Sequence, residues 1–355
     1  MRIIQIIPRL TLAGAEIMCE NLTNALIDEG HEVFVISLCS VETPITERLR
    51  ARGVKLFMCD KKSGMDLKII PKLRKILTDL KPDVIHTHLN SLKYVMWSSR
   101  GLKSVKRIHT IHTLANKDGG RFDKFYNKLM FRTGKVVPVA LSKEVQASII
   151  ELYKIPEESV PVIFNGTDLS KCIVKQDYVV TGDFKILHIG RFLNVKNHSM
   201  LIKAFKRFND SYPNSSLSLI GDGETKSEAE ALVAELGLTD KVNFLGLQAS
   251  VYSFLNEADL FTLPSHYEGV PLTLTEAMGT GLPIVATAVG GIVDMLEDGE
   301  NAMLIEVDEN QLVDAFERMY NDADFREKCG KSALEASVMF SHKNTAASYL
   351  KVYQM

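Results

Sequence analysis

The residues best suited to chemistry lie at 264–279, PSHYEGVPLTLTEAMG, where two carboxylates, Glu268 and Glu276, stand eight positions apart. The apolar run 260–263 ahead of them reads as a buried strand. Gly269 and Pro271 mark a turn, and the residues beyond have helical periodicity. A helix start presents free N–H groups and the positive end of the helix dipole, which attract anions. Glu268 and Glu276, flanking that start, would repel a bare phosphate. A ligand with both a diphosphate and hydroxyl groups resolves the conflict. Backbone N–H groups near Leu272 and Thr273 would take phosphate oxygens, and the carboxylates would accept hydrogen bonds from sugar hydroxyls, which ionised acceptors bind strongly. Spacing alone is equally served by a loop carboxylate at Glu268 and a helix-start cap at Glu276.

A second cluster, GRFLNVKN at 190–197, follows the apolar run 185–190 and precedes a helical pattern through Leu201, Ile202 and Phe205. Arg191 offers a planar bidentate fork and Lys196 a compact charge, a sensible pair for a diphosphate leaving group. The alternative is two solvated loop cations. Gly14, in TLAGAE between the first strand and first helix, sits where a missing side chain lets backbone approach a phosphate, though a plain turn uses such a glycine too. Neither GxGxxG nor GxxxxGK[ST] occurs, which removes the main support for a nicotinamide dehydrogenase and for a P-loop NTPase. His86 and His88 follow one strand, and His109 and His112 surround another. Neither pair has a carboxylate or cysteine at ligand spacing, so no metal site is expected, and His112 is read as a histidine positioned at a cleft. Asp322 and Asp324 imitate an Asp-x-Asp motif but fall in a polar turn between late helices, and are read as surface.

These groups need a scaffold that gathers strand ends, and both halves of the 355-residue chain supply one. Buried β-rich runs occur at 3–7, 33–36, 84–85, 107–111 and 136–140, and the pattern restarts at 185–190. Runs at 216–220, 242–245, 260–263, 283–286 and 303–305 follow, with helical stretches between. This alternation predicts two doubly wound α/β units with parallel sheets, the boundary falling within 165–182, and ligands at the carboxyl ends of the strands. The segment 341–353 has helical spacing and suits a helix packed back on the first half.

Hydrophobic residues make up 46% and charged residues 24%, which excludes disordered, collagen-like and coiled-coil classes. The net charge of −2 conceals an asymmetry: residues 1–175 hold 28 Lys and Arg against 18 Asp and Glu, and residues 176–355 hold 14 against 26. The acidic half is a poor nucleic-acid surface, and the basic half suits phosphates or an anionic membrane. Residues 93–143 concentrate this charge, with 12 Lys and Arg and only Asp118 and Asp123. There Phe122, Phe125, Tyr126, Leu129, Met130 and Phe131 alternate with Arg121, Lys124, Lys128 and Arg132. That is the pattern of an interfacial helix, and equally of a core-packing helix with a basic outer face. The first ten residues lack a signal-peptide core, no apolar stretch is long enough to span a bilayer, and five scattered cysteines read as reduced thiols. A cytoplasmic protein is expected.

Taken together, these motifs resemble the retaining GT-B glycosyltransferases of family 4 (glycosyl transferases group 1), over nearly the whole chain. The most specific match is Glu268-x7-Glu276 within SHYEGVPLTLTEAMGTGLPIVAT. GRFLNVKN, LIGDG at 219–223, NGTD at 165–168 and the Gly14 loop support it. The resemblance implies an acceptor-binding Rossmann-like domain at 1–170 and a nucleotide-sugar-binding one at 171–340, facing across a cleft, with 341–355 crossing back. It implies that Glu268 orients the donor sugar, Glu276 holds the ribose, and Arg191 and Lys196 neutralise the diphosphate. His112 would lie near the reacting centre, and Gly14, Gly190, Gly269, Val270, Leu272 and Thr273 would line the donor site. Backbone at Leu247 and Gln248 would hold the base.

The implied activity is retaining, metal-independent transfer of a hexose or N-acetylhexosamine from a nucleotide diphosphate sugar, UDP-sugar favoured. The implied acceptor is a lipid-linked saccharide or surface polysaccharide, met at the inner face of the membrane, with no cofactor and no nucleic acid partner. Two departures stand out: AGAE replaces a common Gly-Gly pair, and Asn301-Ala302 a common Asn-Gly. A GT-B-like sugar-nucleotide epimerase, or a silent sugar-nucleotide-binding subunit, is the rival reading. The latter would be expected to lack one of Glu268, Arg191 or Lys196, and all three are present.

Overall fold

The computed structural model describes residues 1–355 except Lys103, which falls within the basic stretch 93–143. It comprises two units, Met1–Thr167 with His342–Met355, and Asp168–Ser341.

In the first unit, β1 (Arg2–Ile7), β2 (Glu32–Ser37), β3 (Lys55–Met58), β4 (Val84–His88), β5 (Lys106–Ile111) and β6 (Val137–Ala140) form one parallel sheet. Its order is β3-β2-β1-β4-β5-β6. Five successive residues of β1 and all of β4 are buried, as strands covered by helices on both faces must be. The edge strand β3 was not separated in the sequence. Its four residues start exposed and continue half-buried, so they carry no continuous apolar run. The helix His342–Gln354 packs on Gly14–Asp28 and buries Tyr349 and Tyr353 beside Ile3, Val84 and Ile108. It is pinned at its start, where the His342 N–H donates to the Thr167 carbonyl at 2.8 Å.

The second unit repeats the design. Strands β7 (Phe184–Ile189), β8 (Ser215–Ile220), β9 (Val242–Gly246), β10 (Leu260–Leu263), β11 (Ile284–Thr287) and β12 (Met303–Ile305) are parallel, in the order β12-β11-β10-β7-β8-β9. Phe184, Phe205, Phe208 and Phe316 fill its core. In each unit the first and fourth strands are neighbours, β1 with β4 and β7 with β10, and the winding reverses between them. Such a switch point leaves a crevice outside the carboxyl ends, the usual ligand position in open α/β sheets.

Candidate active site

In the second unit, both motif loops leave the switch-point strands. The loop after β7 carries Gly190 and the exposed Arg191, then makes one tight turn at Asn194–Lys196. The loop after β10 carries Glu268, only 8% exposed. Lys196 Nζ lies 2.5 Å from Glu268 Oε1, and Ser265 Oγ donates to the same oxygen at 2.6 Å. Both contacts fall on Oε1. The His266 N–H donates to the Val195 carbonyl at 2.8 Å and ties the loops together, while Thr287 Oγ1 on β11 donates to the Ser265 carbonyl at 2.6 Å.

Two glycines make this close packing possible. Gly290 has φ +55°, and a Cβ there would lie 1.9 Å from the Glu268 carbonyl oxygen, which accepts the Gly291 N–H at 3.0 Å. Gly221, at φ +142°, lets the loop after β8 approach the other motif, where a Cβ would meet the Gly190 carbonyl oxygen at 2.0 Å.

The helix after the Glu268 loop is Leu272–Thr280, with Pro271 at its N-cap and no side-chain cap. Glu276 therefore lies a full turn inside the helix, and the reading of it as a helix-start cap is corrected. Its carboxylate accepts from Tyr252 Oη at 3.4 Å. Burial pushes its pKa up to about 7, against the opposing pull of Tyr252 and Lys171. The Leu274 N–H is bonded to the Pro271 carbonyl at 3.1 Å, so Leu272 and Thr273 hold the open N–H positions at the helix start, just beyond Gly269 and the buried Val270. Leu247 and Gln248 follow β9. Leu247 is exposed, and the Gln248 amide donates to the Leu245 carbonyl.

In the first unit, Gly14 is the exposed first residue of its helix, and a Cβ there would meet nothing within 4 Å. The protein's own packing does not require a glycine at this position. His86 and His88 sit further into the sheet than the sequence suggests, within β4, because that strand runs on through its polar residues; His109 lies within β5, in the run 107–111, and His112 just beyond it. Their polar atoms form chains. Gln5 Oε1 is 2.7 Å from His88 Nε2, and His88 Nδ1 is 3.1 Å from His112 Nε2. His86 bonds Tyr353 Oη at 2.8 Å and Thr110 Oγ1 at 2.7 Å, and Thr110 bonds Tyr349 Oη at 2.8 Å. Burial holds His86 and His88 well below the ordinary imidazole range and takes His112 down to about 4, with Asp118 opposing. All three rings are neutral near pH 7.

Among the described residues no group of three or more His, Cys, Asp or Glu is arranged to hold a metal ion. Asp322 caps the helix Ala323–Ser337 by accepting the Phe325 N–H at 2.9 Å. The basic helix Arg121–Arg132 divides: Met130 and Phe131 are buried, while Phe122, Phe125 and Leu129 are exposed, as is Trp97. No described helix is long and apolar enough to cross a membrane. Sequence reading missed Ser265, Thr287, Tyr252, Gly290, Gln5 and the pairing of Lys196 with Glu268. All are set by tertiary neighbours, not by local spacing.

Comparison with known proteins agrees with this geometry. Residues 173–336 match the family model of glycosyl transferases group 1, and residues 12–171 that of glycosyltransferase family 4. An uncharacterised glycosyltransferase of Methanocaldococcus jannaschii is 26% identical over 98% of this chain and 95% of its own. The UDP-Gal:α-D-GlcNAc-diphosphoundecaprenol α-1,3-galactosyltransferase of Escherichia coli is 27% identical over 82% of this chain and 81% of its own. The crystal structure of Anabaena HepE in complex with UDP superposes with a TM-score of 0.83 at 19% identity, covering 100% of both chains. The chain belongs to the GT-B glycosyltransferases of family 4 and group 1.

Proposed function

We propose that the chain transfers a sugar with retention from a nucleotide diphosphate donor, a UDP-sugar, to a lipid-linked saccharide or growing polysaccharide, without a metal ion. The carrying observation is the Lys196–Glu268 pair at the carboxyl ends of β7 and β10, with Arg191 exposed on the same loop as Lys196. Sugar transfer breaks the bond to diphosphate through an oxocarbenium-like transition state. Cations aimed at the departing diphosphate lower that barrier more than they stabilise the ground state. Arg191 and Lys196 supply them, and the N–H groups of Leu272 and Thr273 supply the dipole end of a helix. Glu268 Oε2 accepts a sugar hydroxyl and Glu276 the ribose. Retention by double displacement needs a carboxylate under the anomeric carbon. The motifs offer none with that duty, so the acceptor attacks from the face the diphosphate leaves, and the leaving phosphate helps take its proton. The relative that acts on a diphosphoundecaprenol saccharide and the neighbour solved with UDP support the acceptor and donor classes.

Calorimetric binding of UDP and GDP in EDTA, for the native chain and Arg191→Ala, tests the donor site. Micromolar binding of UDP that weakens in the variant supports the reading, and no binding of either nucleotide, with or without magnesium, overturns it. An assay of donor turnover with a lipid-linked saccharide separates transfer from epimerisation and from silent binding.

The exposed Phe122, Phe125, Leu129 and Trp97, among Arg121, Lys124, Lys128 and Arg132, would bring the enzyme to an anionic membrane face in the cytoplasm. Salt-sensitive flotation with phosphatidylglycerol vesicles, reduced in Phe125→Ser, supports this. Absence of flotation at low salt overturns it.

A further inference from the structure

We infer that Gln5 and His88 are positioning residues that fix the tautomer of His112, so that its Nδ1 meets a ligand purely as an acceptor for a hydroxyl group. The sugar as the owner of that hydroxyl rests on the function proposed above; the tautomer does not. Gln5 on β1 and His88 on β4 are fully buried, so water cannot satisfy their polar atoms. The Gln5 amide oxygen, 2.7 Å from His88 Nε2, can only accept, so that nitrogen carries the proton. A neutral imidazole has one N–H. His88 Nδ1 is therefore a lone pair, and it accepts from His112 Nε2 at 3.1 Å. His112 has then spent its only N–H inside the sheet, and its Nδ1 is a lone pair as well. With the Gln5 amide oxygen turned to His88, the reverse tautomer would set the His88 Nε2 lone pair against that oxygen with no hydrogen between them. An amide turned the other way would reverse both rings, which is the outcome that a protonated Nδ1 on His112 would report.

Neighbouring rings do not break into this chain, and Asp118 acts on His112 through its charge. The His86 ring, 4.3 Å from that of His88 between centroids, is engaged by Tyr353 and Thr110. His109 Nδ1 is bonded to Thr87 Oγ1 at 2.9 Å, and its Nε2 lies 4.0 Å from Asp118 Oδ2. A neutral, acceptor-only nitrogen binds O–H groups and repels phosphate and carboxylate oxygens. The position therefore selects a hydroxyl over an anion.

Nitrogen-15 NMR of the histidine rings in the full-length, histidine-labelled protein near pH 7 reads the tautomer directly, with His112→Gln assigning the signal. The expected result is a protonated Nε2 and an unprotonated Nδ1 on His112, in a single tautomer. In Gln5→Met the signals of His88 and His112 should both move to values averaged over two tautomers, while that of His31, remote on the loop before β2, stays in place. Gln5→Asn, whose amide falls one methylene short, should do the same and serves if the methionine variant does not fold. A protonated Nδ1 on native His112, or a single unchanged tautomer in the Gln5 variants, overturns the inference. Failure of UDP to bind would instead overturn the nucleotide-sugar reading and leave the tautomer result standing.

Discussion

Replacing Lys196 with methionine separates two duties of one side chain: neutralising Glu268, which the structure shows, and serving the donor diphosphate, which is the proposed role. The Lys196 and Glu268 side chains are 16% and 9% exposed, and the pair closes at 2.5 Å. Removing the cation leaves the carboxylate with Ser265 Oγ alone. Breaking a fully buried pair from one side costs 3–5 kcal/mol. Partial access of water at Lys196 reduces this to about 2–3 kcal/mol. Lys196→Met combined with Glu268→Gln removes both charges and keeps an acceptor for Ser265, so most of the loss should return.

The only tryptophan, Trp97, lies in the first unit, so its fluorescence reports the wrong sheet. Hydrogen exchange of the β7 and β10 amides is the suitable assay. A loss of about 2–3 kcal/mol accelerates exchange roughly 30- to 150-fold. Sugar-transfer turnover should behave differently: single and double variants should both fall by roughly 10²–10³, the usual cost of losing one transition-state donor. Exchange within threefold of native in Lys196→Met would refute the buried-pair argument. Recovery of turnover in the double variant would refute the role at the diphosphate.

Gly14→Ala should leave the denaturation midpoint followed by Trp97 fluorescence unchanged or slightly raised, since nothing lies within 4 Å of the new methyl group. Turnover should nevertheless drop at least about tenfold if phosphate approaches that backbone. Gly290→Ala sets a methyl group against the Glu268 carbonyl at a left-handed φ. The loop must shift, with a turnover loss of roughly 10² and faster exchange in β11. Glu276, raised from 4.5 to about 7, holds its proton more tightly folded than unfolded. Its contribution to stability is complete below about pH 4.5 and is lost as pH rises through about 7. UDP affinity should change in the opposite sense, rising through pH 7 as the carboxylate forms, and Glu276→Gln should flatten that dependence in calorimetry.

The residues legible from sequence were those whose neighbours in the chain define their setting. Glu268, Arg191 and Lys196 each lie in a loop between an apolar run and a helical pattern, so strand ends located them, and Gly14 opens the helix after the first strand instead of lying in the loop ahead of it. Glu276 was found, but its place was misread, because proline and glycine signals bracket a turn without saying which residue begins the helix. Edge strand β3 escaped because a half-buried strand of four residues has no periodicity to detect. Ser265, Thr287, Tyr252 and Gly290 acquire their duties only when β10, β11 and the helix Tyr252–Glu257 are assembled. Gln5 is the one polar residue in the β-rich run 3–7. Its partner is the buried His88, two residues along β4 from the position facing Gln5, which no local pattern reveals.

The two sheets wind alike and both bury imidazoles, but they differ in the charge they hold. In β1 and β4 the first unit buries imidazoles and an amide, bonded to one another and braced by Tyr349 and Tyr353 from the returning helix. The second buries His188 in β7, bonded to the Thr262 carbonyl of β10, and adds an ion pair in the loops beyond these strands. Neutral rings cost far less to desolvate than isolated charges, so a site that only accepts a hydroxyl can be dry and uncharged. A site that must hold a departing diphosphate needs fixed cations, and these must be balanced when no ligand is present, which Glu268 does for Lys196. On the proposed function, net charge misleads about where the phosphate goes: the half with 26 Asp and Glu against 14 Lys and Arg carries Arg191 and Lys196, the cations proposed to meet the diphosphate. The excess Lys and Arg of the first half lie elsewhere, notably around the exposed Phe122, Phe125 and Leu129, the patch proposed above to meet an anionic membrane.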